Sequence, residues 1–421
     1  MKAPTQPARR SSLLATIGLF VMLAWLTLGE RVFIGVSTGG RGLLPVLEVL
    51  FVLVSLTMGS ATTGPRVFPN GLLTRTIAPV YVLLGALSVL AVLFRDYDSR
   101  TLLSLTIPLS ALGVFCLARA ARDPAPWLRV VFVAIVVHGV YGAAQLLARL
   151  SVLPSALSQW MASWDSSSQA RLSDAYLVSL RSTGLFVNPN TFGSWSVLAV
   201  VVSSALFSSY RRWTGVFLGV TGVYASQSRT AWLSLLAIVL IGSLFAVLHG
   251  RIERILSALP VALVAAALAA GGALSWLVEE NVTTRYRSGM NGISGVSEDA
   301  DFASRVDAWR QALGGFWQQP LGTWGPPQLE AGVSIDNEYV AFLVQGGPVL
   351  LGALILAMLF PLFARKYVGR RVDILWELTV VLAISSFTSL AFEETQVMGL
   401  LWSAVVICFL ESNTEQAGVA E

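Results

Sequence analysis

Charge is scarce in this chain. Only 12% of its 421 residues are Asp, Glu, Lys or Arg, against a hydrophobic share of 55%. A soluble domain carries about 25% charged residues, so a soluble globular protein and a disordered chain are both excluded. Cysteine is nearly absent. Cys116 and Cys408 both lie inside apolar runs, where they read as small core hydrophobes rather than as a disulfide framework. Histidine is limited to His138 and His249. No His, Cys and carboxylate group has metal-ligand spacing, so neither a metal nor another cofactor is expected. Neither a P-loop nor a GxGxxG occurs, which argues against a nucleotide-driven pump and a Rossmann enzyme. Lysine appears only as Lys2 and Lys366. The basic residues form no stripe, so nothing points to nucleic acid.

Long apolar runs are what the chain has in abundance, and the mean hydropathy is +0.70. About 20 such residues cross a bilayer as a helix. Runs near 12–29, 43–59, 77–94, 101–118, 127–148, 191–209, 213–227, 230–248, 256–277, 339–363, 374–391 and 396–411 predict an all-α, polytopic bundle of about twelve transmembrane helices. The runs are continuous rather than alternating, which disfavours a β-barrel. The first run has no cleavage site after it and reads as an uncleaved span. Basic residues cluster in alternate short segments: Lys2, Arg9 and Arg10; Arg66 and Arg75; Arg119, Arg122 and Arg129; Arg211 and Arg212; Arg251 and Arg254; Arg365, Lys366, Arg370 and Arg371. The positive-inside rule then predicts an inner-membrane protein with both termini cytoplasmic. It leaves two long polar segments, near 149–190 and 278–338, on the extracytoplasmic face. The chain accordingly divides into helices 1–5 (1–150), a first outer segment with helices 6–9 (151–277), a large extracytoplasmic loop (278–338) and helices 10–12 with a short tail (339–421).

Four polar clusters interrupt this pattern. Arg181 to Asn190 ends the first outer segment, and there Asn188 and Pro189 predict a capped helix start. Arg181 is either a stray residue at that start or a ligand for an anion at a helix N-terminus. Ser226-Gln227-Ser228-Arg229 divides one long apolar stretch. Arg229 either snorkels to the interface or lines a polar cavity. In the large loop Phe302, Val306, Trp309, Leu313 and Phe316 mark one helical face, with Ser304 as the expected N-cap. Arg305 and Arg310 lie on this helix, which the Pro320–Pro327 stretch should end. Asp336, Asn337 and Glu338 precede the tenth span. Asp336 is either a helix cap or, with Glu338, part of an acid–base pair. Arginine is the shared theme, and its fork suits a diphosphate. On an outer face without ATP, that diphosphate belongs to a lipid carrier, and the substrate class is a polyprenyl-diphosphate-linked glycan.

Four motifs in order resemble the O-antigen ligase and polymerase superfamily of bacterial envelope proteins. They are Arg181-x-x-Gly184-x-Phe186-x-Asn188-Pro189-Asn190; Ser226-Gln227-Ser228-Arg229-Thr230-Ala231-Trp232; Arg305-x-x-x-Trp309 with Pro320-x-Gly322; and Asp336-Asn337-x-Tyr339 followed by Gly346-Gly347. The likeness covers about 180–365. It implies a GT-C-like, inverting, metal-independent glycosyltransferase. Its partners would be an undecaprenyl-diphosphate-linked glycan and an acceptor glycan or lipid-linked unit, met among membrane lipids. Asp336, Glu338 and Arg229 would be catalytic, and Arg181, Asn190, Arg305 and Asn337 would bind substrate. Where ligases of the family carry a histidine in the base-like role, this chain has Asp336. That departure favours a polymerase, or a ligase with another acceptor. A flippase or other secondary transporter is the main alternative, with Glu48 inside an early span as its best support. A non-catalytic scaffold is the third reading, and Arg181 and Arg229 weigh against it.

Overall fold

Lipid offers no partner to an unpaired amide, so apolar runs of this kind close their hydrogen bonds within helices. In the computed structural model, all regular structure among the described residues is helical. Those residues are 15–27, 114–119, 121–149, 152–157, 181–186, 188–248, 300–322, 335, 337–364, 372–387 and 395–420. The main helices are α1 (Ala15–Thr27), α2 (Pro124–Arg149), α3 (Pro189–Leu206), α4 (Ser209–Ser226), α5 (Arg229–Leu248), α6 (Ala300–Gln318), α7 (Glu338–Ala364), α8 (Val372–Ser385) and α9 (Thr395–Ala420). Pro124–Ala148 and Glu338–Leu362 are long and apolar enough to cross a membrane. Ala15–Thr27, Arg229–Leu244 and Gln396–Ser412 are shorter apolar helices. The expected spans near 43–59, 77–94 and 256–277, together with Glu48 and His249, lie outside the described residues.

Among the described helices α3 is deeply enclosed, with 15 of its 18 residues buried. It packs against α4, α5, α8 and α9, while α4 also lies along α2. Helices in lipid gain little from the hydrophobic effect and associate through close packing of small residues. Here Gly215, Gly219 and Gly222 of α4 face Ser203, Val200 and Ser196 of α3. A Cβ on Gly219 would lie 2.9 Å from the Ser196 carbonyl oxygen and 2.7 Å from Val200 Cγ2. A backbone oxygen cannot rotate away, so Gly219→Ala must separate the two helices. We expect it to cost about 1–3 kcal/mol, typical of overpacking, read as a lower melting temperature in detergent. Gly352→Ala is the control. No atom lies within 4 Å of the Cβ it would add, and it should melt at or slightly above the wild-type temperature.

The helix ends follow local chemistry. Asn188 is extended, and its side chain accepts from the Asn190 amide at 2.8 Å. Pro189 follows at the first helical position, as the sequence predicts. At the other end of α3, the Arg212 guanidinium donates to the Ser204 carbonyl at 2.6 and 2.9 Å, satisfying one of the carbonyls a helix leaves open. Gln227 closes α4 in the left-handed region (φ 49°), which non-glycine residues rarely adopt. Ser228 then caps α5, its Oγ accepting from the Ala231 amide at 3.3 Å. Cys408 is buried, Cys116 is half-buried, and neither forms a disulfide.

Two boundaries differ from expectation. α6 begins at Ala300, so Ser304 lies within the helix and does not cap it. The residues before it extend the helix, leaving Ser304 no free amide to serve. The buried face of α6 is centred on Ala308 and Ala312, with Trp309 and Phe316 beside them, while Val306 and Leu313 are half-buried. Small residues let α6 approach Val340, Ala341 and Val344 of α7. α8 ends at Ser385 rather than near 391. There the Ser386 carbonyl accepts from the Glu338 amide at 2.8 Å instead of continuing the helix.

Candidate active site

The Arg181–Asn190 and Ser226–Arg229 motifs meet at one junction of the bundle, which a chain of contacts defines. A Cβ on Gly399, near the start of α9, would touch Leu26 and Trp25 of α1. The Leu26 carbonyl meets His138 Nε2 at 2.7 Å. The His138 ring in turn stacks on Phe186 and lies against Trp195, at centroid distances of 4.7 and 4.4 Å. The starts of α3 and α9 are therefore level. α4 ends at this level too, because a Cβ on Gly193 would lie 2.8 Å from both Ser226 Oγ and Ser228 Cβ.

Residues 181–186 form a non-helical strap beside this junction. The Ser182 amide donates to the Ala225 carbonyl at 2.8 Å. The Thr183 and Gly184 amides both donate to Gln145 Oε1, at 3.1 and 2.9 Å. Gly184 has φ +56°, and a side chain there would also meet the Phe192 ring. The strap aims Arg181 at the α4–α5 turn. Its Nε donates to the Ser226 carbonyl at 2.8 Å, and its Nη2 donates to Asn190 Oδ1. Arg181 and Asn190 are thus brought together at Ser226, which lies three residues before Arg229 along the chain. Arg181 and Asn190 are half-buried, and Arg229, the first residue of α5, is exposed.

A second cluster forms where α7 begins. Asn337 Oδ1 accepts from the Val340 amide at 3.1 Å, so Asn337 is the helix cap. The cap position sequence reasoning offered to Asp336 is therefore filled by its neighbour. Asp336 itself lies outside the described residues. Glu338 is the first residue of α7 and is fully buried. Ser386 Oγ donates to Glu338 Oε2, and the two backbones are joined as well. Tyr339 Oη donates to the Ala383 carbonyl at 2.8 Å. The end of α8 thus holds the first turn of α7, and α8 packs on α3 and α5.

α7 is broken at Gly346 and Gly347, the latter at φ +64°. The turn after α6 fills this break. A Cβ on Gly347 would lie 2.8 Å from the Pro320 carbonyl oxygen, and one on Gly322 (φ +86°) would collide with the Gln345 carbonyl. Backbone meets backbone at both places, which only glycine permits. A broken helix also suits the transporter alternative, but here the break is where the large-loop motif docks. Arg305 is half-buried on α6. Arg310 forms an exposed 3.3 Å pair with Asp307 and belongs to the solvated face. Among the described residues no group of three or more His, Cys, Asp or Glu side chains gathers around a point a metal could occupy.

Residues 214–355 match the family model described as O-antigen ligase. This third of the chain is thus similar to the O-antigen ligase family. No curated protein is similar enough to match it. The O-antigen ligase match runs from within α4 to within α7. It takes in the Ser226–Arg229 turn, Arg305, the Asn337–Glu338 cluster and the docking of Pro320–Gly322 on Gln345–Gly347. Arg181 and Asn190 precede it and reach it through the Ser226 carbonyl. Sequence reasoning missed Gln145 and Ser386. The only signal for either is a polar residue inside an apolar run.

Proposed function

We propose that this O-antigen ligase-type membrane enzyme transfers or polymerises glycan from an undecaprenyl-diphosphate carrier at the outer leaflet. The observation that carries the reading is Arg181, whose guanidinium joins Asn190 to the Ser226–Arg229 turn. Two arginine-bearing motifs far apart in sequence thereby share one end of the bundle. Guanidinium groups there suit a diphosphate leaving group, whose negative charge grows as the glycosidic bond breaks.

In this reading the acceptor hydroxyl attacks the anomeric carbon from the face opposite the diphosphate. A new C–O bond forms with inversion, and the old C–O bond breaks with its electron pair leaving on the diphosphate. Asp336, with Glu338 beside it, accepts the hydroxyl proton. Arg229 and Arg181 stabilise the departing diphosphate, while Asn190, Arg305 and Asn337 bind the sugar and carrier. Fixed placement of the two substrates supplies much of the remaining rate. The acceptor is a second lipid-linked unit or another envelope glycan.

Purified protein given an undecaprenyl-diphosphate-linked oligosaccharide and an acceptor should form a longer or transferred glycan and release undecaprenyl diphosphate. Absence of both products overturns the reading. Turnover should be unchanged by EDTA, because arginines carry the electrostatic role a metal otherwise fills. Loss on chelation with recovery in Mg²⁺ or Mn²⁺ would refute metal independence.

A further inference from the structure

Gln145 has no role in the reaction just described, yet it is fully buried and joined to the strap that carries Arg181. It lies near the end of α2, a helix outside the residues that match the family. Its Oε1 accepts both the Thr183 and Gly184 amides, and its Nε2 reaches Thr183 Oγ1 at 3.4 Å. These amides sit two and three residues after Arg181. The strap has no helix or strand to satisfy its backbone. Its amides are held from one side by the Ala225 carbonyl of α4 and from the other by Gln145 of α2.

That arrangement decides where Arg181 points. With the Gln145 oxygen in place, the strap is pinned two residues beyond Arg181, and the guanidinium reaches Ser226 and Asn190. Without it, two buried amides lose their acceptor, and a buried amide without a partner turns to find one. Rotation of Thr183 and Gly184 carries the Arg181 backbone with it. We infer that Gln145 is a positioning residue which aims the Arg181 guanidinium at the diphosphate of the lipid-linked donor, an inference that rests on the function proposed above.

The test uses full-length purified protein in detergent and undecaprenyl diphosphate itself as the probe. Gln145→Leu keeps the size but removes the acceptor, Gln145→Asn retracts it by one methylene, and Gln145→Glu restores an acceptor at the same reach. Binding of undecaprenyl diphosphate and turnover of the linked oligosaccharide are both measured, each also in an Arg181→Ala background. Gln145→Leu and Gln145→Asn should weaken diphosphate binding about tenfold and slow turnover at least as much, since small misplacements of a catalytic group are costly. Gln145→Glu should recover to within about threefold of wild type, because it restores the strap's acceptor. In the Arg181→Ala background, Gln145→Leu should change binding less than about twofold, as expected when two residues act through one group.

Wild-type binding in both Gln145→Leu and Gln145→Asn overturns the inference. So does an equal loss with and without Arg181, which marks a merely structural role. If Gln145→Leu does not fold, the Asn and Glu variants decide between the same outcomes. Wild-type protein that binds undecaprenyl diphosphate but transfers no glycan refutes the proposed function while leaving Gln145 to be judged on binding. Wild-type protein that binds no diphosphate overturns both.

Discussion

Arg181→Lys should reduce glycan transfer about 100-fold or more, the scale of losing a preorganised donor to a developing anion. The substitution keeps the positive charge, so charge alone is not what it removes. Arg181 engages Ser226 through Nε and Asn190 through Nη2, at two points of one rigid plane. Those contacts fix the orientation of the guanidinium plane. An ammonium is a point charge on a flexible stem and cannot hold both contacts and still present a fork. Asn190→Ala should show a smaller loss, because the Ser226 contact remains. Single-turnover rates with a lipid-linked oligosaccharide measure both variants. Wild-type turnover in Arg181→Lys would remove bidentate diphosphate contact from the mechanism.

The second large effect is expected at Asp336. Because Asn337 provides the helix cap, Asp336→Asn should leave the melting temperature unchanged. Asn cannot take a proton at neutral pH, so turnover should fall about 10²- to 10⁴-fold, the range of general-base catalysis. Asn337→Ala should show the opposite pattern in stability, losing about 0.5–2 kcal/mol as a cap does. Glu338→Gln is the companion measurement. Gln can still accept the Ser386 hydroxyl that Glu338 accepts, so the anchorage of α7 survives while the proton acceptor is lost. Full turnover in Asp336→Asn together with collapse in Glu338→Gln would move the base role to Glu338.

Much of the architecture was legible because its signals are local. Asn188 and Pro189 start a helix wherever their neighbours are apolar, and the long apolar runs had no alternative to helices. The family motifs were legible as ordered strings, and the match over 214–355 takes in three of the four. What remained hidden is pairwise. Gln145 and Gly184 are 39 positions apart, and Glu338 and Ser386 are 48 apart. No periodicity within either run announces its partner. Hydropathy also fails to separate α3, enclosed on all sides, from α5, whose Leu233, Leu236, Leu240 and Leu244 are exposed. Both are simply apolar, and lipid and protein interior are equally good surroundings for leucine. Sequence alone left Asp336 open as cap or base because Asp and Asn cap about equally well. Only geometry shows which of the two adjacent residues faces the Val340 amide.

The turn between α4 and α5 has a consequence for how the protein is made. Only Gln227 and Ser228 separate the two helices, yet α4 and α5 diverge from that turn and barely touch. α4 leans on α3 and α2, while α5 leans on α8 and α3. A self-packed hairpin can leave the insertion machinery as a finished unit, but this pair has no interface of its own to finish. Its shared partner is α3, which emerges from the ribosome earlier and wedges Gly193 against the turn. α3 is therefore the post on which the later pair closes. A nascent chain that loses its hold there reaches the bilayer with two helices that have no reason to stay together.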